Sequence, residues 1–293
     1  MALKLGRKAR RYDSRIPHLS ALLAGQKLTP VPAPTDWSKG MPANLGMALN
    51  STLGDCTAAG WCHQKQIWTF NTGAMVTVPD PDIEDLYEAT GGYVPGDPST
   101  DNGAVEQDVL SYLLKTGLTG DKLTAYFEVD TRNADDVKRT IAWCGGSYIG
   151  FEVPAFVMNL TTAGSVWDLP GSSGVPADAD TSIEGGHCVV IAGFDDSWLT
   201  LISWGALYRM SWAFWAEYVD EAYGLVDTDW VKATGTTPAN MTLAELEAQM
   251  QAIRQSAAPA LTRSQLSWQL NAGVSQPVGG GTPQVSAGVS VSF

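Results

Sequence analysis

The chain has 293 residues, of which 44% are hydrophobic, and it contains 11 Trp, 9 Tyr and 7 Phe. This composition excludes a disordered polymer and is sufficient for one main domain with a sizeable core. The formal net charge is −13, yet residues 1–15 carry six bases against one acid, which leaves the remainder with 12 bases, 30 acids and a net charge of −18. Because the chain after residue 15 is this acidic, it repels nucleic acid and anionic membranes, and we expect neither as a partner.

The amino-terminal sequence contains no export signal. Residues 1–30 are charged and lack an apolar stretch before a small-residue cleavage site, and no apolar run in the chain reaches membrane-spanning length. We therefore expect cytoplasmic synthesis without a signal peptide. The four cysteines are too few for a scaffold built on disulfides.

Residues 1–35 are predicted to form a basic and Pro-rich arm. The alternating prolines of LTPVPAPTDW resist both a helix and a central strand, so this part is expected to run extended over a surface. The bases before it are typical of a flexible, solvated terminus, and a binding role is the alternative.

Residues 36–232 are predicted to form the main domain, with helices in its first half. The first helix is indicated by the Ala-rich run CTAAGWCHQKQIW, and the second by PDPDIEDLYEATGGY, where prolines and acids precede paired glycines. A third helix is indicated by apolar residues at helical spacing in DNGAVEQDVLSYLLKTGL. The string NADDVKRTIAWCGGSYIGFEVP then predicts a helix, a Gly-Gly turn and a strand.

Antiparallel strands are predicted in the second half of the domain. A loop over 159–186 precedes His187, at the head of the strand CVVIAGF, and a turn at Asp195–Ser197 leads into the strand WLTLISW. Helices followed by antiparallel strands indicate an α+β fold.

The carboxyl-terminal part is predicted to hold two further segments. Residues 233–256 form a linker with a short amphipathic helix, since Thr242 and Glu245 have capping-box spacing. Residues 257–293 form a Gly/Ser-rich tail in which apolar and polar residues alternate around Trp268 and before Phe293. Such alternation favours strands that pair with a partner sheet, and the alternative is a disordered tail.

Cys56 and His187 are the candidate catalytic pair. Cys56 follows Gly and Asp at the start of a predicted helix, and His187 lies 131 residues later. A cysteine nucleophile needs an imidazole to take its proton, and the two groups come from distant parts of a chain. The alternatives are a buried structural cysteine and a core histidine. A metal site is not expected, because Cys56, Cys62, His63 and His187 lack a usual zinc spacing, and no cofactor is expected.

These strings resemble the papain-like cysteine peptidase family in its compact bacterial and phage form. LGDCTAA resembles the string around that family's nucleophile, and GGHCVVIAGFDD resembles its histidine strand; the likeness covers roughly residues 36–225. It implies a papain-like fold with an N-terminal helical half, a C-terminal antiparallel sheet half and, in this chain, extended terminal arms.

The resemblance also implies three further site positions. Asn50 stands where the family has an oxyanion-stabilising Gln, and Trp204 matches the tryptophan that shields the catalytic pair. Ile202 occupies the position of the family's orienting Asn, so that position is replaced by a residue that cannot hydrogen-bond imidazole. Ser203 is expected to point to the opposite strand face, and Asp55 is expected to be a solvated acid at the helix start.

The expected function is a structural or interaction component of an assembly, such as a phage virion protein of the tail, fibre or head. Its partners would be proteins bound through the N-terminal arm and the tail, in a homo-oligomer or in a virion made in a bacterial host. The alternative is an active cysteine peptidase or amidase that uses a Cys56–His187 dyad on a peptide or cell-wall substrate.

Overall fold

The computed structural model describes residues 3–24, 30–172, 174–238 and 241–255. Every helix predicted for the main domain is present, close to its predicted bounds. The α-helices are α1 Leu19–Leu23, α2 Cys56–Thr72, α3 Asp80–Gly91, α4 Glu106–Lys115, α5 Ala134–Cys144, α6 Trp212–Tyr218, α7 Thr228–Thr234, α8 Leu243–Gln249 and α9 Gln251–Arg254.

Helix α2 is the central helix, and it is buried on nearly all sides over Cys56–Trp68. It packs closely against the sheet at Gly60, where a Cβ atom would lie 3.0 Å from Sγ of Cys188 and 3.0 Å from the ring of Tyr148. A glycine at this position therefore sets how near the nucleophile's helix approaches the strand that bears His187.

The strands form one sheet in the order β2-β8-β3-β5-β6-β7-β4, and β1 pairs with β5. Neighbouring strands are antiparallel except for β4 and β7. The strands are β1 Thr35–Asp36, β2 Ala125–Glu128, β3 Ser147–Pro154, β4 Val166–Trp167, β5 Ile183–Phe194, β6 Trp198–Ser203, β7 Ala206–Ser211 and β8 Val219–Val226.

The strand of His187 begins earlier than predicted. Strand β5 starts at Ile183, so His187 lies inside the strand and not at its head, and the predicted loop over 159–186 also contains β4. Glu184 and two glycines hid the start of β5, because backbone pairing with β3 does not depend on apolar alternation. Strand β4 has only two residues, too few to give a pattern. The predicted turn is confirmed: Oδ1 of Asp195 accepts hydrogen bonds from the backbone N–H groups of Ser197 and Trp198.

The N-terminal arm is packed against the domain along much of its described length. It is not wholly extended, because Leu19 and Leu22 of α1 are buried. Arg7 is 5% exposed, which contradicts the prediction of a solvated basic terminus. Several acids surround this arginine, and sequence spacing alone did not indicate that they meet.

The predicted capping box at the start of α8 is confirmed by hydrogen bonds between Thr242 and Glu245 in both directions. Leu246 and Met250 are buried, as the amphipathic pattern predicted. The tail at 257–293 lies outside the described residues. Within the described part of the chain, no helix is both long and apolar enough to cross a membrane.

Candidate active site

Cys56 is the first residue of α2, and it is fully buried. A helix N-terminus favours a thiolate, but here the loss of water outweighs that effect. Burial raises the pKa of the thiol to about 12, and the nearby carboxyl groups of Asp55 and Glu106 act in the same direction. The nearby backbone N–H groups of Cys188 and Gly6 oppose the rise. In this arrangement Cys56 is a neutral thiol at physiological pH.

His187 lies on β5, and its side chain is buried. Its Nε2 lies 2.8 Å from Oγ of Ser203, in a buried hydrogen bond. The ring stacks on Trp204, with 4.6 Å between centroids and 19° between planes, which places the predicted shielding residue directly on the imidazole. Burial, and secondarily the charge of His63, lowers the pKa of His187 to about 3, so the ring is neutral.

The prediction that Ser203 points away from His187 is wrong. Strand register explains the error: Ile202 pairs with Val190, three residues from His187, so Ile202 and His187 lie on opposite faces of the sheet. Ser203, the next residue, shares the face of His187. Ile202 is fully buried among apolar residues, and the serine makes the hydrogen bond that the isoleucine cannot make.

Nδ1 of His187 has no hydrogen-bond partner among the described residues. If Nε2 carries the ring proton and donates it to Ser203, Nδ1 presents a lone pair. A histidine that is held at one nitrogen and free at the other can accept a proton from a thiol.

Asn50 is buried before the helix, in a turn in which Ala48 and Leu49 have positive φ. Its Nδ2 donates a hydrogen bond to the carbonyl oxygen of Leu53 at 3.1 Å. The amide therefore has a backbone partner in this state, and its oxyanion role stays a prediction.

Asp55 is fully buried, so the expectation of a solvated acid at the helix start is wrong. It makes no side-chain capping hydrogen bond. Burial raises the pKa of its carboxyl group well above the usual value, and neither carboxyl oxygen has a hydrogen-bond partner among the described residues.

Residues 3–8 of the N-terminal arm run through the cleft above these groups. The backbone N–H groups of Gly6 and Arg7 donate to the carbonyl oxygen of Gly186, at 3.2 and 3.0 Å. On the opposite wall, Ala104 N–H donates to the carbonyl of Gly6, and Lys8 N–H donates to the carbonyl of Ala104, both at 2.9 Å. The arm thus bridges the two walls of the cleft as an added extended segment.

Gly6 is the point of closest approach. A Cβ atom on Gly6 would lie 1.8 Å from the carbonyl oxygen of Gly54, next to the nucleophile's helix. A Cβ atom on Gly103 would likewise lie 1.9 Å from the carbonyl oxygen of Gly6. The cleft therefore accepts only glycine at this place. In the sequence this requirement corresponds to a single glycine within the basic arm, which was not predicted as a site residue.

Arg7 enters a buried acidic pocket beside the cleft, which we call the Arg7 pocket. Its acidic residues are Glu106, Glu152, Asp220 and Glu221. None of them was predicted as a site residue, since they come from α4, β3 and β8 and meet only in the fold.

The remaining cysteines, Cys62, Cys144 and Cys188, are buried free thiols, as is Cys56. His63 is also buried, and its Nδ1 lies 2.9 Å from Oε1 of Gln66. These residues support the core.

Comparison with known proteins identifies the fold. Xylellain, a cysteine protease from Xylella fastidiosa, matches with a TM-score of 0.56 and 17% identity, over 78% of this chain and 97% of that chain. A procathepsin B from Trypanosoma congolense matches with a TM-score of 0.50 and 10% identity, over 76% of this chain and 86% of that chain. No family model matches the sequence, and no curated protein is significantly similar to it. The chain has an α+β, papain-like fold.

Proposed function

Starting from this papain-like fold, we propose that the chain is a latent cysteine peptidase or amidase whose cleft is closed by its own N-terminal arm. The observation that carries the proposal is the hydrogen bond between Nε2 of His187 and Oγ of Ser203. A hydroxyl in this position can orient the imidazole, as Ile202 cannot, and would then fill the third role of the catalytic set.

The chemistry needs the cleft to open. With water or a substrate admitted, the Cys56 thiol would pass its proton to Nδ1 of His187, and its sulfur would attack an amide carbonyl carbon. The backbone N–H of Cys56 and the amide of Asn50 are the candidate donors to the oxyanion. The imidazolium would then protonate the leaving amine as the carbon–nitrogen bond breaks, and water would release the acyl group from the sulfur as a carboxylic acid.

The arm is not itself a substrate in the closed state. The backbone N–H of Gly6 donates to the carbonyl oxygen of Gly186. The carbonyl oxygen of Gly6 is held by Ala104 on the opposite wall. We propose that these two hydrogen bonds hold the peptide groups on either side of Gly6 away from the geometry that attack by the sulfur requires, so that the arm occupies the cleft without being cut.

The proposal is tested by labelling Cys56 with a thiol-directed peptide electrophile at neutral pH. Gly6→Ala should expel the arm and speed labelling at least tenfold over the wild type, and Cys56→Ala in the same background should abolish it. Gly73→Ala is the matched control, because a Cβ atom there meets nothing within 4 Å. An opened chain whose Cys56 stays unreactive would exclude the peptidase.

A second function is favoured by one observation: the closed cleft holds a neutral thiol and a neutral imidazole. A papain-like domain in this state suits a structural or interaction component of an assembly, such as a phage virion protein joined to its neighbours through the arm and the tail. Deletion of residues 257–293 should then abolish self-association or partner binding. An unchanged oligomeric state by light scattering would remove the role of the tail.

A further inference from the structure

We infer that the Arg7 pocket is a recognition site for the arginine of an extended Gly-Arg peptide supplied in trans, and that Arg7 of the arm is its intramolecular occupant. The inference rests on the proposed function only in placing the bound peptide beside Cys56. Binding needs no turnover, so it can be tested with the nucleophile removed.

The guanidinium is held by acids on several sides. Nε of Arg7 lies 2.6 Å from Oε1 of Glu221 and 3.6 Å from Oε1 of Glu106. Nη1 lies 3.2 Å from Oε1 of Glu152, and Nη2 lies 2.5 Å from Oδ1 of Asp220. Three different nitrogen atoms of one planar group are used, which a single ammonium on lysine cannot reproduce.

The pocket has a buried end and an open end. The side chains of Glu106 and Glu221 are 0% exposed, whereas those of Glu152 and Asp220 are each 41% exposed. Burial raises the pKa of Glu106 and Glu221, while Arg7 opposes the rise in both. Two buried carboxyl groups share the positive charge of Arg7, and without that charge they would lie buried and unpaired. The pocket therefore favours binding of another guanidinium that can replace Arg7.

The walls of the pocket are shaped for this side chain. A Cβ atom on Gly150 would lie 2.2 Å from Nε of Arg7, so this glycine provides the space that the guanidinium fills. Tyr223 donates a hydrogen bond to Oε2 of Glu221 at 2.8 Å, which fixes the carboxylate whose other oxygen meets Arg7.

The backbone of the cleft supplies the rest of the specificity. Gly186 and Ala104 hydrogen-bond the main chain of residues 6–8, which is possible for most sequences. The residue before the arginine must be glycine, since a Cβ atom there would collide with Gly54. Gly-Arg is therefore the recognised pair.

The test uses the full chain carrying Gly6→Ala, Arg7→Ala and Cys56→Ala, which should expel the arm, empty the Arg7 pocket and remove catalysis. A fluorescent peptide with the sequence of residues 1–11 is titrated against it by anisotropy. We expect saturable binding that weakens at least tenfold when the peptide carries Arg7→Lys, Arg7→Gln or Gly6→Ala. The peptide with Lys8→Gln loses the same charge as Arg7→Gln, and it should bind within threefold of the parent.

Equal weakening by Lys8→Gln and Arg7→Gln would overturn the inference, because it would show general attraction to an acidic surface. Absence of saturable binding to the opened chain would also overturn it. Gly6→Ala with Cys56→Ala provides a second opened chain if the first does not fold. Loss of peptide cleavage in chains that retain Cys56, with binding intact, would count against the proposed function alone.

Discussion

The imidazole of His187 and the hydroxyl of Ser203 are joined by a buried hydrogen bond of 2.8 Å between Nε2 and Oγ. The two residues lie on neighbouring strands, β5 and β6, and share one face of the sheet. This contact fixes one ring nitrogen of the histidine, and the first prediction concerns it.

Ser203→Ala should leave Nε2 of His187 buried without a partner. An unsatisfied buried polar group costs about 1–3 kcal/mol in the free energy of unfolding, which urea denaturation measures. In the Gly6→Ala background, the same substitution should slow thiol labelling at least tenfold, since the ring is no longer oriented. Ser197→Ala, in the exposed β5–β6 turn, is the control. Labelling that is equally fast with and without Ser203 would show that its hydroxyl has no orienting role.

The second prediction concerns the pH dependence of Cys56 labelling. Because burial raises the thiol pKa to about 12, the thiolate fraction in the wild type should rise about tenfold per pH unit between about pH 7 and pH 10. Gly6→Ala admits water to the sulfur, so its labelling rate should level off at a lower pH. Stopped-flow measurement of both chains across this range gives the two profiles. Identical profiles would mean that the arm does not control access to Cys56.

The third prediction concerns acid stability through His187. Burial, followed by the charge of His63, depresses the folded pKa from 6.5 to about 3. The unfolded chain therefore binds the proton first: stability is full above pH 6.5 and declines as the pH falls toward 3. Between pH 6.5 and pH 5 the wild type should lose about 1.6 kcal/mol more than His187→Gln, because the slope rises from half of about 1.4 kcal/mol per pH unit at pH 6.5 to nearly the full value at pH 5. Urea unfolding measures the stability of both proteins at each pH. If the wild type and His187→Gln lose the same stability, other groups cause the acid sensitivity.

The fourth prediction concerns Asp55, whose contribution to stability falls as the pH rises, opposite to that of His187. Burial raises its folded pKa well above 3.8, so the stability it contributes is present below that pH and is lost as the pH rises toward the folded value. Asp55→Asn removes the titrating group and retains the shape. The variant should therefore gain stability over the wild type as the pH rises from about 4 to 8, measured by thermal unfolding. A stability difference that does not vary with pH would show that Asp55 keeps its usual pKa.

Much of the main domain was predictable from local patterns. The start of α2 at Cys56 follows from helix-compatible residues after Gly-Asp, and α3 and α4 follow from acids near their starts and apolar spacing along their length. These signals act within about four residues, so they survive in a single sequence. The short strand β4 was missed, because only two residues form it.

The site was predictable in part. Cys56, His187 and Trp204 were named from their strings, and the structure stacks His187 on Trp204. Ser203 was assigned to the wrong face because strand alternation counts positions within one strand, whereas its relation to His187 depends on the register between β5 and β6. The burial of Asp55 was missed for a similar reason, since its surroundings come from other segments.

By itself the sequence determined the order of helices and strands, the nucleophile at a helix start and the histidine on a strand. It also determined that Ile202 cannot orient an imidazole. Only the tertiary structure decided that Ser203 hydrogen-bonds His187, that Gly6 lies against Gly54 close to the start of α2, and that four acids surround Arg7. Local patterns report backbone preferences over a few residues, whereas hydrogen-bond partners, desolvation and pKa values depend on groups that are distant in the chain and adjacent in space.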